Sequence, residues 1–214
     1  MRYADDCNIF VRTDVAAERV MKSVTSWLER KLFLKVSATK TKIVRPNNSN
    51  FLGFTFWKSN ETWKCKPGND RKIKLYDKIK EVLKRKHAVS TPLAITFTKL
   101  NQIIRGWINY FRIGSMKVFM ESFGQWLRHK VRVIIIKQWK KPMRIYINLQ
   151  RLNKAFKCNF KDEDIYKVAN SRLGWYRRSG MNVVNYILNP KVLAIANKKK
   201  GRPGLVNPLA YYLR

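Results

Sequence analysis

The stretch MRYADDCNIFV, residues 1–11, places two adjacent carboxylates, Asp5 and Asp6, in front of an alternation of apolar and polar residues. Alternation with a period of two predicts a β-strand, and the polar pair before it predicts a β-hairpin with the acids at its tip. Paired carboxylates supply the hard oxygen ligands that Mg²⁺ takes in phosphoryl-transfer sites. An Asp-Asp pair is equally consistent with a polar turn, because Asp side chains form local hydrogen bonds there.

Four segments, in order along the chain, resemble motifs of group II intron-encoded reverse transcriptases. YADD at 3–6 resembles the catalytic box of these enzymes, and LFLKVSATKTKI at 32–43 resembles the polymerase motif that follows it. FLGFTF at 51–56 resembles the primer-grip strand, and LNQIIRGWINYF at 100–111 resembles the maturase-specific thumb signature. Four motifs in the same order make the resemblance specific, and the chain looks like the C-terminal half of such a protein.

The resemblance implies a polymerase site near the start of the chain. Asp5, Asp6 and Lys40 would be its catalytic residues, with Asp5 and Asp6 as the Mg²⁺ ligands and Lys40 near the phosphates of the incoming nucleotide. The residues implied in primer or template binding are Tyr3, Phe51, Leu52, Gly53 and Phe54. From the residues alone, Lys40 is equally consistent with a solvated cation, and Gly53 with a simple bulge in a strand.

Charge dominates the composition, because 46 Lys+Arg face 13 Asp+Glu and give a formal net charge of +33. Such a chain repels itself when compact and favours a polyanionic partner, which points to nucleic acid. A hydrophobic share of 45% indicates a folded protein rather than a basic tail. We find neither an apolar run of 18 residues nor a signal peptide, so we expect no membrane partner and a cytoplasmic location. The three cysteines are far apart and suggest neither a disulfide framework nor a zinc site.

Periodicity and the resemblance together predict an α+β fold in three segments. Residues 1–67 would be the C-terminal part of a reverse-transcriptase palm, and residues 68–141 a helical thumb, the maturase-specific domain. Residues 142–214 would be a small, basic, mostly helical nucleic-acid-binding element. The palm elements expected are a hairpin at the start, a core-packed helix capped by Thr13 and running to about Lys31, strands at 32–36 and 39–43, and a hairpin of 51–57 with 62–66. The later helices expected lie at 70–83, 93–111 (capped by Ser90 and Thr91), 115–139, 162–170 and around 183–188, before a basic tail at 198–203.

The predicted thumb and the residues after it carry almost only positive charge, because residues 82–161 contain 18 Lys+Arg and one acid, Glu121. A surface that only confers solubility mixes both signs, so this pattern favours contact with an RNA or DNA backbone. The candidate RNA-binding residues are Arg105, Asn109, Arg112, Lys117, Arg128, Lys130, Arg132, Arg172, Arg177 and Arg178. The last three lie in ANSRLGWYRRSG at 169–180, where arginine next to Trp and Tyr suits base stacking with phosphate contact, or alternatively a small aromatic core.

The predicted function is that of part of a group II intron reverse transcriptase/maturase. The chain would bind group II intron RNA in support of splicing; the intact family also carries out RNA-directed DNA synthesis by two-metal phosphoryl transfer. A DNA target or primer–template and a separate N-terminal half are further expected partners. Because no acid precedes Asp5, a further metal-binding aspartate of the family has no counterpart, and we expect weak or no Mg²⁺ binding and no polymerase activity from this chain alone. The alternative is a nonspecific basic RNA- or DNA-binding protein with no catalytic role.

Overall fold

The computed structural model describes residues 2–3, 6–195, 201 and 203–214. The chain divides into two compact units, Met1–Gly68 (unit 1) and Asn69–Arg214 (unit 2). Unit 1 contains two small antiparallel sheets and one long helix, whereas the elements of unit 2 are helices. The predicted α+β class is therefore confirmed. Within the described residues, no helix has both the length and the apolar character needed to cross a membrane.

Unit 1 begins with a short hairpin of β1 (Arg2–Tyr3) and β2 (Asp6–Cys7), in which Tyr3 pairs with Asp6. The second strand ends at Cys7 and does not continue to Val11 as the alternation predicted. Helix α1 (Asp14–Lys31) follows, and the predicted cap is confirmed because Thr13 Oγ1 accepts a hydrogen bond from the Ala16 amide at 3.2 Å. The expectation that the apolar stripe of α1 packs into a core is wrong, since the helix contains no buried residue.

The chain between α1 and the second sheet is irregular. The strands predicted at 32–36 and 39–43 are absent; a turn at residues 38–40 lies between two segments without regular secondary structure. A strand needs a hydrogen-bonded neighbour, and the alternation of side chains does not supply one. A 3₁₀ turn at Pro46–Asn48 leads into the second sheet.

The second sheet has the order β3–β4–β5, with β3 at Asn50–Phe51, β4 at Phe54–Ser59 and β5 at Thr62–Pro67. The predicted hairpin is confirmed as β4 and β5, which pair from Phe54 with Pro67 to Ser59 with Thr62. Residues 51–57 do not form one strand, because a tight turn at Leu52 and Gly53 separates β3 from β4.

Unit 2 starts at Asn69, shortly after β5 ends at Pro67, and helices make up most of its described residues. Their bounds are α2 Asn69–Val82, α3 Arg85–Ala88, α4 Leu93–Phe111, α5 Lys117–Trp139, α6 Pro142–Ala155, α7 Asp162–Ala169, α8 Trp175–Ser179, α9 Asn182–Ile187, α10 Pro190–Ala194 and α11 Pro208–Tyr212. The three long helices α2, α4 and α5 are confirmed. The predicted cap of α4 is wrong: Pro92 is its N-cap, and Ser90 and Thr91 donate their hydroxyls back to the carbonyl of His87.

The core of unit 2 is built from the apolar stripes of its long helices. The buried residues of α2, α4 and α5 include Leu75, Ile79, Phe97, Leu100, Ile104, Ile108, Phe111, Met120, Phe123, Leu127, Val131, Ile134 and Ile136. In α2, Leu75 and Ile79 are buried, whereas Ile73 is exposed. Packing of α6 with α7 and α9, and of α5 with α8, extends this helical core toward the C-terminal part of the unit.

The end of the chain returns to the core instead of leaving it. Leu205 is buried, its amide donates to the carbonyl of Leu193 at 2.8 Å, and α11 packs against both α4 and α5. The buried Asn101 of α4 binds this segment through the Gly204 carbonyl and the Val206 amide, at 2.8 and 2.9 Å. Most of the predicted basic tail at 198–203 lies outside the described residues. The helix around residue 187 is not the last one, since α10 and α11 follow it.

Candidate nucleic-acid interface

One of the two predicted catalytic carboxylates, Asp6, lies in β2 of unit 1. Tyr3 and Asp6 face each other across the two strands, and both are exposed. Asp5 lies outside the described residues. In the part of the chain that the structure describes, no three His, Cys, Asp or Glu side chains gather into a metal-binding group. The roles of Asp5 and Asp6 in catalysis and metal binding therefore stay predictions.

Lys40 lies at the end of the turn that replaced the two predicted strands. Its amide donates to the carbonyl of Ser37 at 3.2 Å, and the Thr41 amide donates to the same oxygen at 2.9 Å. The hydroxyls of Ser37 and Thr39 are 3.1 Å apart and hydrogen-bond within the turn. The local bonds fix the backbone and leave Lys40 exposed, so a nucleotide contact and a solvated cation both stay open.

The predicted primer-grip residues form the turn between β3 and β4. Phe51 pairs with Phe54, and Leu52 and Gly53 between them have φ angles of 53° and 82°. Two successive positive φ values are typical of a type I′ hairpin turn, in which glycine is favoured because it has no Cβ. The turn itself therefore explains Gly53, and neither a bulge nor an approaching primer is needed. Phe54 is buried and serves the core of unit 1, whereas Phe51 and Leu52 are half-buried.

Four of the predicted RNA-binding residues lie on the exposed side of α4 and at the start of α5. They are Arg105, Asn109, Arg112 and Lys117, and all four are exposed. Tyr211 of α11 supports two of them, because its ring lies 5.8 Å from the Arg105 guanidinium carbon and its hydroxyl donates to Asn109 Oδ1 at 3.2 Å. We call these five residues the α4 surface. No member of it takes part in a described ion pair, so its charges are available to a polyanion.

Arg128 and Lys130 of α5 are half-buried rather than exposed. Burial lowers the pKa of Arg128 below its ordinary value. The Lys130 ammonium lies 5.2 Å from the centre of the Tyr176 ring, a cation–π geometry. Both side chains are therefore partly committed to contacts within unit 2, which limits how much each can add to nucleic-acid binding.

Arg132 has a structural role that the sequence does not reveal. It is 7% exposed, and its guanidinium donates to the carbonyls of Leu188 and Asn185 and to the side-chain oxygen of Asn185. These acceptors lie at the C-terminal end of α9, where carbonyl groups lack helical partners and attract cations. Burial, followed by the nearby charge of Arg128, lowers the pKa of Arg132 to about 10. The fold already uses the donors of Arg132, so we expect this residue to add little to RNA binding.

The three predicted arginines around α8 also differ in exposure. Arg172 and Arg177 are exposed, whereas Arg178 is half-buried. The Arg178 guanidinium donates to the Ser171 carbonyl and lies 5.2 Å from the centre of the Trp175 ring. Burial lowers its pKa. Arg178 thus stabilises the loop before α8, whereas the exposed Arg172 and Arg177 can contact an external ligand.

Two residues that shape this region were not among the predicted site residues. Asn101 lies next to Leu100 on the apolar stripe of α4, and a polar side chain at such a position is a sequence signal for a buried hydrogen-bonding role. Tyr211 gave no signal, because it belongs to a five-residue helix too short to show a period. Its contacts with Arg105 and Asn109 join residues separated by about a hundred positions in the chain.

Two protein families match the chain in sequence. The family model described as "Reverse transcriptase (RNA-dependent DNA polymerase)" matches residues 1–56, from the first hairpin into β4. The family model described as "Group II intron, maturase-specific domain" matches residues 73–152, from within α2 to within α6. No curated protein matches the chain. Two such matches in this order, covering more than half of the chain, show that it belongs to the group II intron reverse transcriptase/maturase family.

Proposed function

We propose that unit 2 binds group II intron RNA and supports its splicing. The observation that carries this proposal is the maturase-specific match over residues 73–152, most of which overlaps the stretch of nearly one-sign charge over 82–161. In this proposal residues 68–141 are the thumb and maturase-specific domain, and residues 142–214 are a basic C-terminal element. Helices α4 and α5 supply the main contact surface.

The α4 surface is suited to hold an RNA backbone. Helix α4 contains no acidic residue, so nothing on it repels phosphate. Arg105, Arg112 and Lys117 can each displace a condensed counterion, which makes binding favourable and steeply dependent on salt. Tyr211 restricts Arg105 and Asn109 before RNA arrives, so less side-chain entropy is lost on binding.

The exposed residues around α8 form a second proposed contact. Tyr176 is 49% exposed, and Arg172 and Arg177 flank it in sequence. An unpaired base can stack on an exposed aromatic ring while neighbouring arginines bind its phosphates. This combination suits loops and bulges of a folded RNA better than a regular duplex. Group II intron RNA, which folds into such elements, is the partner we assign to it.

For unit 1 we propose the role of the C-terminal part of a reverse-transcriptase palm. Tyr3, Asp5 and Asp6 would belong to the polymerase site, with Lys40 near the nucleotide and Phe51, Leu52, Gly53 and Phe54 near the primer. The family usually uses Mg²⁺, whose site takes about six oxygen ligands. Asp5 and Asp6 would supply carboxylate ligands to such a site, and Asp6 is exposed in β2. Primer–template or target DNA binding belongs to this same proposal.

The test is a competition filter-binding series at several salt concentrations. We expect a folded group II intron RNA to bind at least about tenfold more tightly than an unstructured RNA of equal length or duplex DNA, which needs only about 1.4 kcal/mol of shape-specific contact. Arg112→Ala should weaken binding and lower the salt slope by about one. Arg71→Ala is the matched control, because Arg71 is exposed and pairs with Asp70 at 3.1 Å. If all three nucleic acids compete equally at raised salt, the chain is a nonspecific basic binder.

A further inference from the structure

Two glycines inside long helices of unit 2 differ in what the fold requires of them. A Cβ at the buried Gly124 of α5 would lie 3.0 Å from Arg128 Nη1 and 3.6 Å from Pro208 Cδ. The approach of α11 therefore accounts for a small residue there. A Cβ at the exposed Gly106, in the middle of α4, would meet no atom within 4 Å.

Gly106 thus lowers the stability of helix α4, and no contact within the folded chain requires a glycine there. Glycine is the least favourable residue in a helix interior after proline, because it has the most backbone freedom to lose. No turn, cap or positive φ explains it, since Gly106 lies far from both ends of a 19-residue helix. A close approach by a molecule outside the chain would explain why a side chain is missing there.

The surroundings of Gly106 identify the kind of molecule. One turn before and one turn after it on the same face lie Gln102 and Tyr110, both exposed, so the glycine forms the floor of a notch between two larger side chains. Arg105 and Asn109 border this notch, and Tyr211 holds both of them. The border is therefore cationic and rich in hydrogen-bond donors.

We propose that the ribose–phosphate backbone of RNA lies directly against helix α4 at Gly106. Arg105 binds a phosphate beside the notch, and the Asn109 amide donates a hydrogen bond to the same strand. Any Cβ at residue 106 enters the space that the ribose occupies. This inference rests on the proposed RNA-binding function, and it specifies the point of closest contact. A protein partner is disfavoured, because α4 offers cations without acids and exposes them around an uncovered stretch of backbone.

The test separates stability from binding with Gly106→Ala and Gly106→Leu. Both residues favour helix more than glycine does, so we expect the melting temperature to rise by about 2–4 °C. Gly106→Ala should lower the affinity for folded group II intron RNA, and Gly106→Leu should lower it further. We expect a loss of at least about tenfold for Gly106→Leu, which corresponds to about 1.4 kcal/mol. Because no charge is removed, the slope of log affinity against log salt should stay that of the wild type. Arg105→Ala should instead lower that slope by about one.

Gln125→Leu is the matched control: it places the same side chain at an exposed position of α5 without changing charge. It should leave RNA affinity unchanged. If the wild type binds the intron RNA and Gly106→Leu binds it equally well, the contact at Gly106 is wrong while the proposed function stands. If the wild type shows no preference for the intron RNA, the proposed function fails and the inference fails with it. A fall in both melting temperature and affinity for Gly106→Ala would also overturn the inference, because the glycine would then serve the fold.

Discussion

Helices α1 and α4 have nearly the same length, 18 and 19 residues, and each carries an apolar stripe at helical spacing. In α4 the residues Phe97, Leu100, Ile104, Ile108 and Phe111 are all buried, with at most 4% of each exposed. In α1 no residue is buried, and Trp27 is 54% exposed. The same pattern thus has two outcomes in one chain.

The difference arises from what covers each stripe. Helices α2 and α11 pack against α4, and the aromatic rings of Trp107 and Phe119 bring α5 next to it with centroids 5.6 Å apart. In the described part of unit 1, no element covers α1 closely enough to bury a residue. Hydrophobic periodicity therefore identifies which face of a helix can be buried, and only neighbouring elements decide whether it is.

The largest expected effect comes from truncating a core ring of unit 2. Phe123 is fully buried, and its ring centre lies 5.4 Å from that of Tyr76 and 5.9 Å from that of Trp126. Phe123→Ala should lower the free energy of unfolding by about 3–5 kcal/mol, because it leaves a cavity that these rings cannot fill. Trp27→Ala in α1 should change it by less than about 1 kcal/mol. Urea unfolding followed by circular dichroism measures both, and equal losses would show that α1 is covered after all.

Two arginines of unit 2 differ in burial as α4 and α1 do, because Arg132 is buried and Arg105 is exposed. Arg132→Met leaves the carbonyls of Asn185 and Leu188 without their donor, and we expect a loss of about 2–4 kcal/mol in stability. RNA affinity of the folded variant should stay unchanged. Arg105→Met should have the opposite profile, with stability within about 0.5 kcal/mol of the wild type and weaker RNA binding. Weakened RNA binding by a fully stable Arg132→Met variant would return Arg132 to the RNA-binding surface.

Asn101 tests how firmly α4 holds the returning end of the chain. Asn101→Leu removes both hydrogen bonds to residues 204–206 and should cost about 1–3 kcal/mol. It should also speed cleavage of residues 203–214 by a nonspecific protease, because the bonds that fix this segment to α4 are lost. Gln102→Leu, at the exposed neighbouring position, is the control and should leave the cleavage rate unchanged. Equal cleavage rates for the wild type and Asn101→Leu would show that packing alone holds the segment.

The smallest expected effect is a pH dependence at His129. Burial, reinforced by the charges of Arg132 and Lys130, lowers the pKa of His129 below its ordinary value of 6.5. The unfolded chain then binds more protons than the folded one between the two pKa values, so stability falls as the pH drops below about 6.5. The loss is measured as the change, between pH 7.5 and pH 5.5, in the difference in unfolding free energy between the wild type and His129→Gln. A stability difference that does not change with pH would contradict the shift.

Some features were predictable because they follow from local chemistry. The cap at Thr13, the β4–β5 hairpin and the long helices α4 and α5 each depend on neighbouring residues and were predicted correctly. The strands at 32–36 and 39–43 were predicted wrongly, because pairing depends on a neighbour elsewhere in the chain. Gly53 was recognised as unusual, but its reason, a positive φ in a tight turn, became visible only with the register of Phe51 and Phe54.

The family, the α+β class and the excess of positive charge follow from the sequence alone, since motif order, periodicity and composition are properties of the chain. Which cations remain available depends on how the helices pack. Arg105 and Arg132 are the same residue type on successive long helices, yet one lies exposed over Tyr211 and the other is buried against the end of α9. The physical reason is that availability depends on which acceptors and rings come within reach after folding. Those partners, on α11 and α9, are more than fifty positions away in the chain and leave no local pattern.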